Sequence, residues 1–420
     1  MSSIEKKIGK AILDRIRERK KSASPNARDG RVIAPSSTSP TKIREVHFSD
    51  FHEVRELKQR WGLIPDSFEN WERLWLHNPA LRCCSDKLAM GWVLESDGKV
   101  VGYLGNIASV YRYRGLELIA VTGHGFVVEP AHRGVSLSLM AAFFRQKSID
   151  LYMTTTAIEV VGKIARSFKS SPLPQRDYEL VLFWVLRPGP FARNTMKRLG
   201  FPPLLSVVGS ALATPTLAVD KIVHRRWPRS RKHGLRVEDI DVDQIGEDFD
   251  LFWQTLLMER PRLLADRSSS TLRWHFQTPQ DEGSTRIFCC YSGNALVGYA
   301  VVRTDAPSSD RLRRSLLVDM IAKKDDPDTL ETLFVAAHNH ANRAGSHILE
   351  VLGFPEVVRK VCSRWNPYTR RYPACPFLYK AANAELHKEL LDLAPWYASP
   401  FDGDTSLMPF LSGAKGRSQQ

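Results

Sequence analysis

The amino-acid sequence predicts an α/β protein built as two tandem copies of one unit, each a mixed, mostly antiparallel sheet flanked by helices. Three observations carry that prediction. From Ile43 the chain runs strand, helix, helix, three-strand meander, helix, strand, helix, strand. The same order returns near offsets of 195 to 200 residues: Trp75 and Pro79 answer to Trp274 and Pro279, and Gly102-Tyr103 to Gly298-Tyr299. Between the copies lies a basic, proline-containing joint, "HRRWPRSRKHG" (His224 to Gly234). Self-similarity on this scale means a duplicated domain and not a solenoid.

The elements follow in order. Residues 3–20 set Ile4, Ile8, Ile12 and Ile16 four apart among Lys and Arg, a basic amphipathic helix. It docks on its own protein, frays in solvent or makes peripheral contact with an anionic membrane. "SASPNARDGRVIAPSSTSPTK" (Ser22 to Lys42) reads as a flexible linker, closing a first segment at 1–42. The first unit, 43–222, opens with "IREVHFSD" as a strand, then helices in "DFHEVRELKQRWG" and "SFENWERLWLHNP". The meander "GWVLESDGKVVGYLGNIASVYRYRGLELIAVTGHGFVVEP" turns at Asp97-Gly98 and Arg114-Gly115. A helix over Ser136 to Gln146, the strand "DLYMTTTA", the helix "VVGKIARSFK" and the strand "YELVLFWVLRP" complete it. The most apolar stretch, "PPLLSVVGSALATPTLAV", is cut by Pro215 and closed by Asp220, too short for a membrane span. After the joint (223–234) a second unit, 235–399, repeats the pattern, and residues 400–420 read as a C-terminal tail.

Composition narrows the class. At 420 residues, 43% hydrophobic and 25% charged, the chain reads as an ordinary globular protein with more than one core. A net charge of +14 invites an anionic partner, but the excess is concentrated in the first 21 residues and in the joint. Neither stretch has the aromatic interleaving of a nucleic-acid module, which argues against nucleic acid. Six cysteines without a Cys-x-x-Cys pair or a signal peptide read as buried free thiols in a reducing cytoplasm. His338 and His340 do not share a helix face and lack partners at ligand spacing, so no metal is expected.

"VVEPAHRGVSLSL" is the chemically telling stretch: a strand breaks at Pro130, passes Arg133-Gly134 and restarts as a helix. Backbone N–H groups at such a turn cradle pyrophosphate with the helix dipole's help. The element order and this motif resemble the GCN5-related N-acetyltransferase (GNAT) superfamily, whose acyl-CoA motif is Arg or Gln-x-x-Gly-x-Gly or Ala. Arg133, Gly134, Val135, Ser136, Leu137 and Ser138 occupy it, with serines where two small motif residues stand. Serine keeps the N–H, while its Cβ and hydroxyl narrow the approach.

The resemblance implies a bulge on the fourth strand, with the pantetheine arm beside it and the backbone of Phe126, Val127 and Val128 facing the thioester as in an oxyanion hole. It implies acetyl-CoA or another acyl-CoA as co-substrate, with acetyl-CoA the default donor. The implied activity is N-acyl transfer to an amino group, in tandem relatives one on a cell-envelope or polysaccharide precursor. The thiols place the chain in the cytoplasm, either free there or, where the helix over 3–20 makes membrane contact, peripheral to the inner face of the membrane. His124, on the fourth strand, is either the base for the acceptor amine or a histidine satisfied by its neighbours. The tyrosine acid common in the family is replaced by Phe168, and Tyr152 and Tyr178 lie off the motif position. The second unit lacks the motif, and Asp325-Asp326 stand where they would repel pyrophosphate. Asp319 there is an acceptor contact or a buried structural group. A non-catalytic scaffold of the same fold and a tRNA-dependent aminoacyl transferase are the competing readings.

Overall fold

Two left-handed turns set the first meander. Asp97 and Gly98 take φ of 52° and 68°, and Arg114 and Gly115 take 50° and 77°, the values a tight hairpin requires. They join β2 (Gly91–Ser96), β3 (Lys99–Tyr113) and β4 (Leu116–Val128). Ahead of them lie β1 (Lys42–Glu45), α1 (Phe51–Arg60) and α2 (Phe68–Trp75). Ser67 caps α2 by accepting from the Asn70 N–H at 3.1 Å. After β4 come a short 3-10 turn (Pro130–Val135), α3 (Leu137–Phe144), β5 (Leu151–Thr154), α4 (Glu159–Ser167), β6 (Ser171–Pro172) and β7 (Leu180–Val185). The computed structural model describes residues 40–407, apart from 85–87, 230–233, 278–282, 307–310 and 372–375. The expected helix over 3–20 lies outside the described residues.

A helical pair, α5 (Pro188–Arg198) and α6 (Pro203–Val223), leads to the second unit. The second helix runs on through Pro215, so the stretch expected to be cut there and too short is a helix long and apolar enough to cross a membrane by length and composition. That unit holds β8 (Arg236–Ile240), α7 (Glu247–Leu257), β9 (Leu264–Ala265), α8 (Ser269–Phe276), β10 (Gly283–Ser292), β11 (Ala295–Asp305) and β12 (Arg314–Ala322). It ends with α9 (Pro327–Arg343), β13 (Ile348–Val351), α10 (Glu356–Ser363), β14 (Tyr368–Arg371), β15 (Leu378–Ala381) and α11 (Ala384–Leu390). The expected order of elements is present in both halves through α10, with β9 added in the second.

The sheets do not follow the chain division. The first has the order β1-β2-β3-β4-β5-β15-β6, and the second β14-β7-β13-β12-β11-β10-β8. β7 of the first unit is therefore inserted in the second sheet, antiparallel to β13, and β15 of the second is inserted in the first, antiparallel to β5. Each unit completes the other's sheet. Trp184 of β7, fully buried, packs on Phe334 of α9 with ring centroids 4.8 Å apart. The described residues all fall within one compact unit.

The segment 400–407, expected as part of a tail, is instead buried or half-buried, Asp404 completely so. Trp396, Tyr397, Ala398 and Phe401 join the larger core, which draws on both sheets. The described cysteines bear out burial only in part: Cys289, Cys290 and Cys362 are buried free thiols, Cys84 is half-buried and Cys83 exposed, while Cys375 lies outside the described residues.

Candidate active site: a buried charge array beside a parted pair of strands

Strand β4 is irregular where the site lies. Its register against β3 shifts between Tyr103 and Gly105, the mark of a bulge. The bulge falls at Gly125, with φ of 66°, and a Cβ there would stand 2.8 Å from Cε and 2.9 Å from Nζ of Lys58. Only glycine fits both demands. On its other edge β4 pairs in parallel with β5 from Ala120–Leu151 to Thr122–Met153, and the pairing ends there. Past Thr122 the two strands part. The backbone of Phe126, Val127 and Val128 follows the bulge, with Phe126 half-buried and both valines buried.

His124 stands at this parting and is 2% exposed. Its Nδ1 lies 3.3 Å from Asp404 Oδ2, and its Nε2 lies 3.6 Å from Asp66 Oδ2. Asp66 precedes the cap of α2 and accepts from Lys58 Nζ at 2.5 Å and from Asn70 Nδ2 at 2.8 Å. Asp404 accepts from the hydroxyls of Thr155 at 2.7 Å and Thr156 at 2.9 Å, just past the end of β5. Lys58, Asp66, His124 and Asp404 thus form one buried row in which basic and acidic groups alternate. Burial pushes Asp66 up, but Lys58 and His124 overcome it and hold the carboxyl well below the usual range. For His124, burial and Lys58 disfavour the charged ring, yet Asp404 and Asp66 outweigh them and raise its pKa above the ordinary histidine value. Its Nε2 has no hydrogen-bond partner among the described residues.

The second unit carries a counterpart with the charges rearranged. Gly105 pairs with His124 across the first meander and Val301 with Asp319 across the second. Asp319 is fully buried and is gripped by Arg267 Nε and Nη2 at 3.0 and 3.2 Å, Tyr299 Oη at 2.7 Å and Ser399 Oγ at 3.0 Å. All its contacts come from the fold, which favours the structural role over an acceptor contact. Tyr111 Oη donates to Asp402 at 2.7 Å, and burial pushes Asp402 up to about 6 although Arg267 opposes it. Ser399, Asp402, Asp404 and Ser406 therefore tie the C-terminal segment into both units.

A cleft of about 240 Å³ adjoins the array between the two units. Thr122, two residues before His124 on the same strand face, and Gly403, next to Asp404, both line it. Tyr111, Asp266, His275 and Phe401 form other parts of its wall. Thr122 Oγ1 is buried without a hydrogen-bond partner among the described residues.

At the turn, Arg133, Gly134, Val135 and Leu137 are exposed, and Ser136 and Ser138 are half-buried. Neither serine caps the helix. The Ser136 hydroxyl donates to Arg133 O and that of Ser138 to Val135 O, each at 2.7 Å, which leaves the first turn of α3 without a side-chain cap. Phe168 stacks on Phe144 at 5.1 Å, and the Tyr152 hydroxyl is spent on Gln146 O at 2.8 Å. In place of Asp325-Asp326 repelling an anion, Asp325 pairs with Arg260 and Arg262, and Asp326 caps α9. Among the described residues no cluster of His, Cys, Asp and Glu is arranged to hold a metal. Of the residues singled out in the sequence, the structure brings His124, Phe126, Val127 and Val128 onto one strand beside the parting, with Arg133 to Ser138 on the turn that follows. Lys58, Asp66, Thr155, Thr156 and Asp404 were not legible as partners. A charged residue beside Leu57 on the buried face of α1 was the one available signal.

No family model matches the sequence, and no curated protein matches it. Solved structures do. A GCN5-related N-acetyltransferase from Anabaena variabilis ATCC 29413 is 10% identical, with 82% of this chain and 73% of that one covered, at a TM-score of 0.51. One from Kribbella flavida is 12% identical, with 84% and 73% covered, at 0.50. The likeness shows the fold: two GNAT-like halves, each a mixed sheet flanked by helices.

Proposed function

We propose that the chain is an acyl-CoA-dependent N-acyltransferase in which His124 takes the proton of the acceptor amine. The observation that carries this reading is the Nε2 of His124, which has no hydrogen-bond partner among the described residues and is held between Asp66 and Asp404 where the pairing of β4 with β5 ends. Acyl-CoA, when bound, supplies the activated acyl carbonyl. The residues present fit it: the uncapped first turn of α3 and the turn at Arg133 to Ser138 would hold the pyrophosphate, and the bulged backbone at Phe126 to Val128 would polarise the carbonyl. The Ser136 and Ser138 hydroxyls bond the Arg133 and Val135 carbonyls and so do not cap that first turn, although the Ser136 N–H is itself spent on Arg133 O at 3.1 Å.

The acceptor amine reaches Nε2 through the cleft that Thr122 and Gly403 share with the array. His124 donates its Nδ1 proton to Asp404 and accepts at Nε2, a tautomer assigned from the two carboxylates. The imidazolium so formed is flanked by Asp66 and Asp404, which is why its pKa is raised. Asp404 and Asp66 are positioning residues, and Thr155 and Thr156 fix Asp404 in turn. The departing thiolate is protonated by water, since Phe168 cannot donate. Acetyl-CoA is the donor to test first, and an amino group on an envelope or polysaccharide precursor is the acceptor class.

The test is titration of the purified chain with acetyl-CoA and with charged tRNA, followed by a screen of amines with released coenzyme A thiol as readout. Saturable binding of acetyl-CoA and amine-dependent thiol release support the reading. Binding of charged tRNA alone would point to aminoacyl transfer, and binding of neither to a scaffold.

A further inference from the structure

The helix α6 (Pro203–Val223) is built inside out. Val207, Val208, Leu212, Val219, Ile222 and Val223 are between 50% and 77% exposed, and Ala211, Pro215 and Thr216 between them are exposed too. Spaced by one and three along 17 residues, they make one outward stripe about 25 Å long. The inward face is the polar one. Ser206 and Ser210 are buried, and their hydroxyls, with that of Thr214, are satisfied by backbone carbonyls of Phe201, Val207 and Ser210. A helix on a water-exposed surface turns its apolar side inward. Small polar residues inward and large apolar ones outward is the arrangement of a helix that faces lipid.

Charge supports the same occupant. From Arg187 to Arg229 the sequence holds eight Lys and Arg against a single acid, Asp220. Asp220 is already paired with Arg226 at 2.8 Å. Arg193, Lys197 and Arg198 on α5 and Arg225 and Arg229 beyond α6 are exposed, so cations stand at both ends of the apolar stripe. Lys221 lies over the ring of half-exposed Trp227 at 4.2 Å, the pairing of an amphipathic ring and a snorkelling cation. The helix is also moored to the body. Tyr368 Oη donates to Asp220, Arg226 donates to Asn366 O, and Asn366 Nδ2 donates to His224 O at 2.9 Å. One side of α6 is thus fixed to protein while the other stays open.

We propose that the outward face of α6, with the basic groups at its ends, docks on an anionic phospholipid bilayer, the helix lying flat in the interface. Val208, Leu212 and Ile222 enter the acyl boundary, and Arg193, Lys197, Arg198, Arg225 and Arg229 meet the headgroups. The inference is independent of the acyl-transfer reading.

The test is co-sedimentation of the full chain with vesicles of phosphatidylcholine alone and of phosphatidylcholine with about 30% phosphatidylglycerol. The chain should pellet with the anionic vesicles and be weakened by salt. The paired substitution Val208→Asp and Leu212→Asp, on exposed positions, should lower that binding about tenfold or more with an unchanged thermal melt. Equal sedimentation of the variant would overturn the proposal, as would no binding to anionic vesicles. So would a dimer in light scattering that the same substitutions dissolve, because a second copy would then cover the face.

Discussion

Asp66 and Arg267 hold the same place in the two repeats. Each immediately precedes a helix-capping serine, Ser67 or Ser268, and each faces the charged residue at one shared position of the fourth strand. In the first unit the pair is Asp66 and His124 at 3.6 Å; in the second it is Arg267 and Asp319 at 3.0 Å. The two positions have kept a charge relationship and exchanged its sense. Arg267 meets both oxygens of Asp319, whereas Nε2 of His124, though near Asp66, has no hydrogen-bond partner among the described residues. On the proposed function, the first unit moves the proton and the second holds the fold.

The array predicts a pH profile. Amine acylation needs neutral His124, so kcat/KM should rise with pH through a midpoint above the ordinary histidine value, since the carboxylates raise its pKa. Asp404→Asn removes a group that favours the imidazolium, so the midpoint should move to lower pH. His124→Ala should lower kcat by about 10² to 10⁴-fold. A midpoint left in place by Asp404→Asn would show that Asp404 does not act through His124.

The turn predicts an asymmetry between two substitutions. Because the Ser136 hydroxyl only folds back on Arg133 O, Ser136→Gly should leave acyl-CoA affinity unchanged or improved. Ser136→Asp places a carboxylate against the phosphates and should cost about 1–3 kcal/mol. Isothermal titration with acetyl-CoA measures both. Affinity indifferent to the Asp substitution would remove this turn from the cofactor site.

The exchanged strands predict that neither unit folds alone. Trp184→Ala in β7 empties a fully buried site against Phe334 and should destabilise the whole chain by about 3–5 kcal/mol. In urea, followed by circular dichroism, the loss should appear in one transition. Two separated transitions would mean that the sheets are energetically independent.

His338 predicts an acid limb of stability. It is buried, and burial with the Lys221 charge pushes its pKa down to about 4. The unfolded chain binds the proton first, so stability from this group is complete above about pH 6.5 and is lost as pH falls towards 4, by about 3 kcal/mol. His338→Leu should flatten that part of the curve in denaturant titrations between these pH values. An unchanged slope would assign the limb to other groups, such as His275, which burial also holds well below its usual value.

What the sequence determined by itself is local. Asp97-Gly98 and Arg114-Gly115 specify hairpins through φ, Ser67 starts a helix by capping it, and the repeat follows from periodicities that read the same in both copies. The motif from Arg133 to Ser138 is contiguous, so it was legible too. What only the tertiary structure decided rests on contacts between distant residues. An apolar strand such as "LVLFWV" (Leu180 to Val185) suits either sheet, and only the packing of Trp184 on Phe334 sends it to the second. Asp404 and Thr155 lie 249 positions apart, and nothing in "SPFDGDTSL" marks it as buried, because its small polar residues would serve a solvated tail equally well. Their burial is tolerable only because the fold brings them Tyr111, Thr155 and His124 as partners, and a buried polar group is stable only where such partners exist.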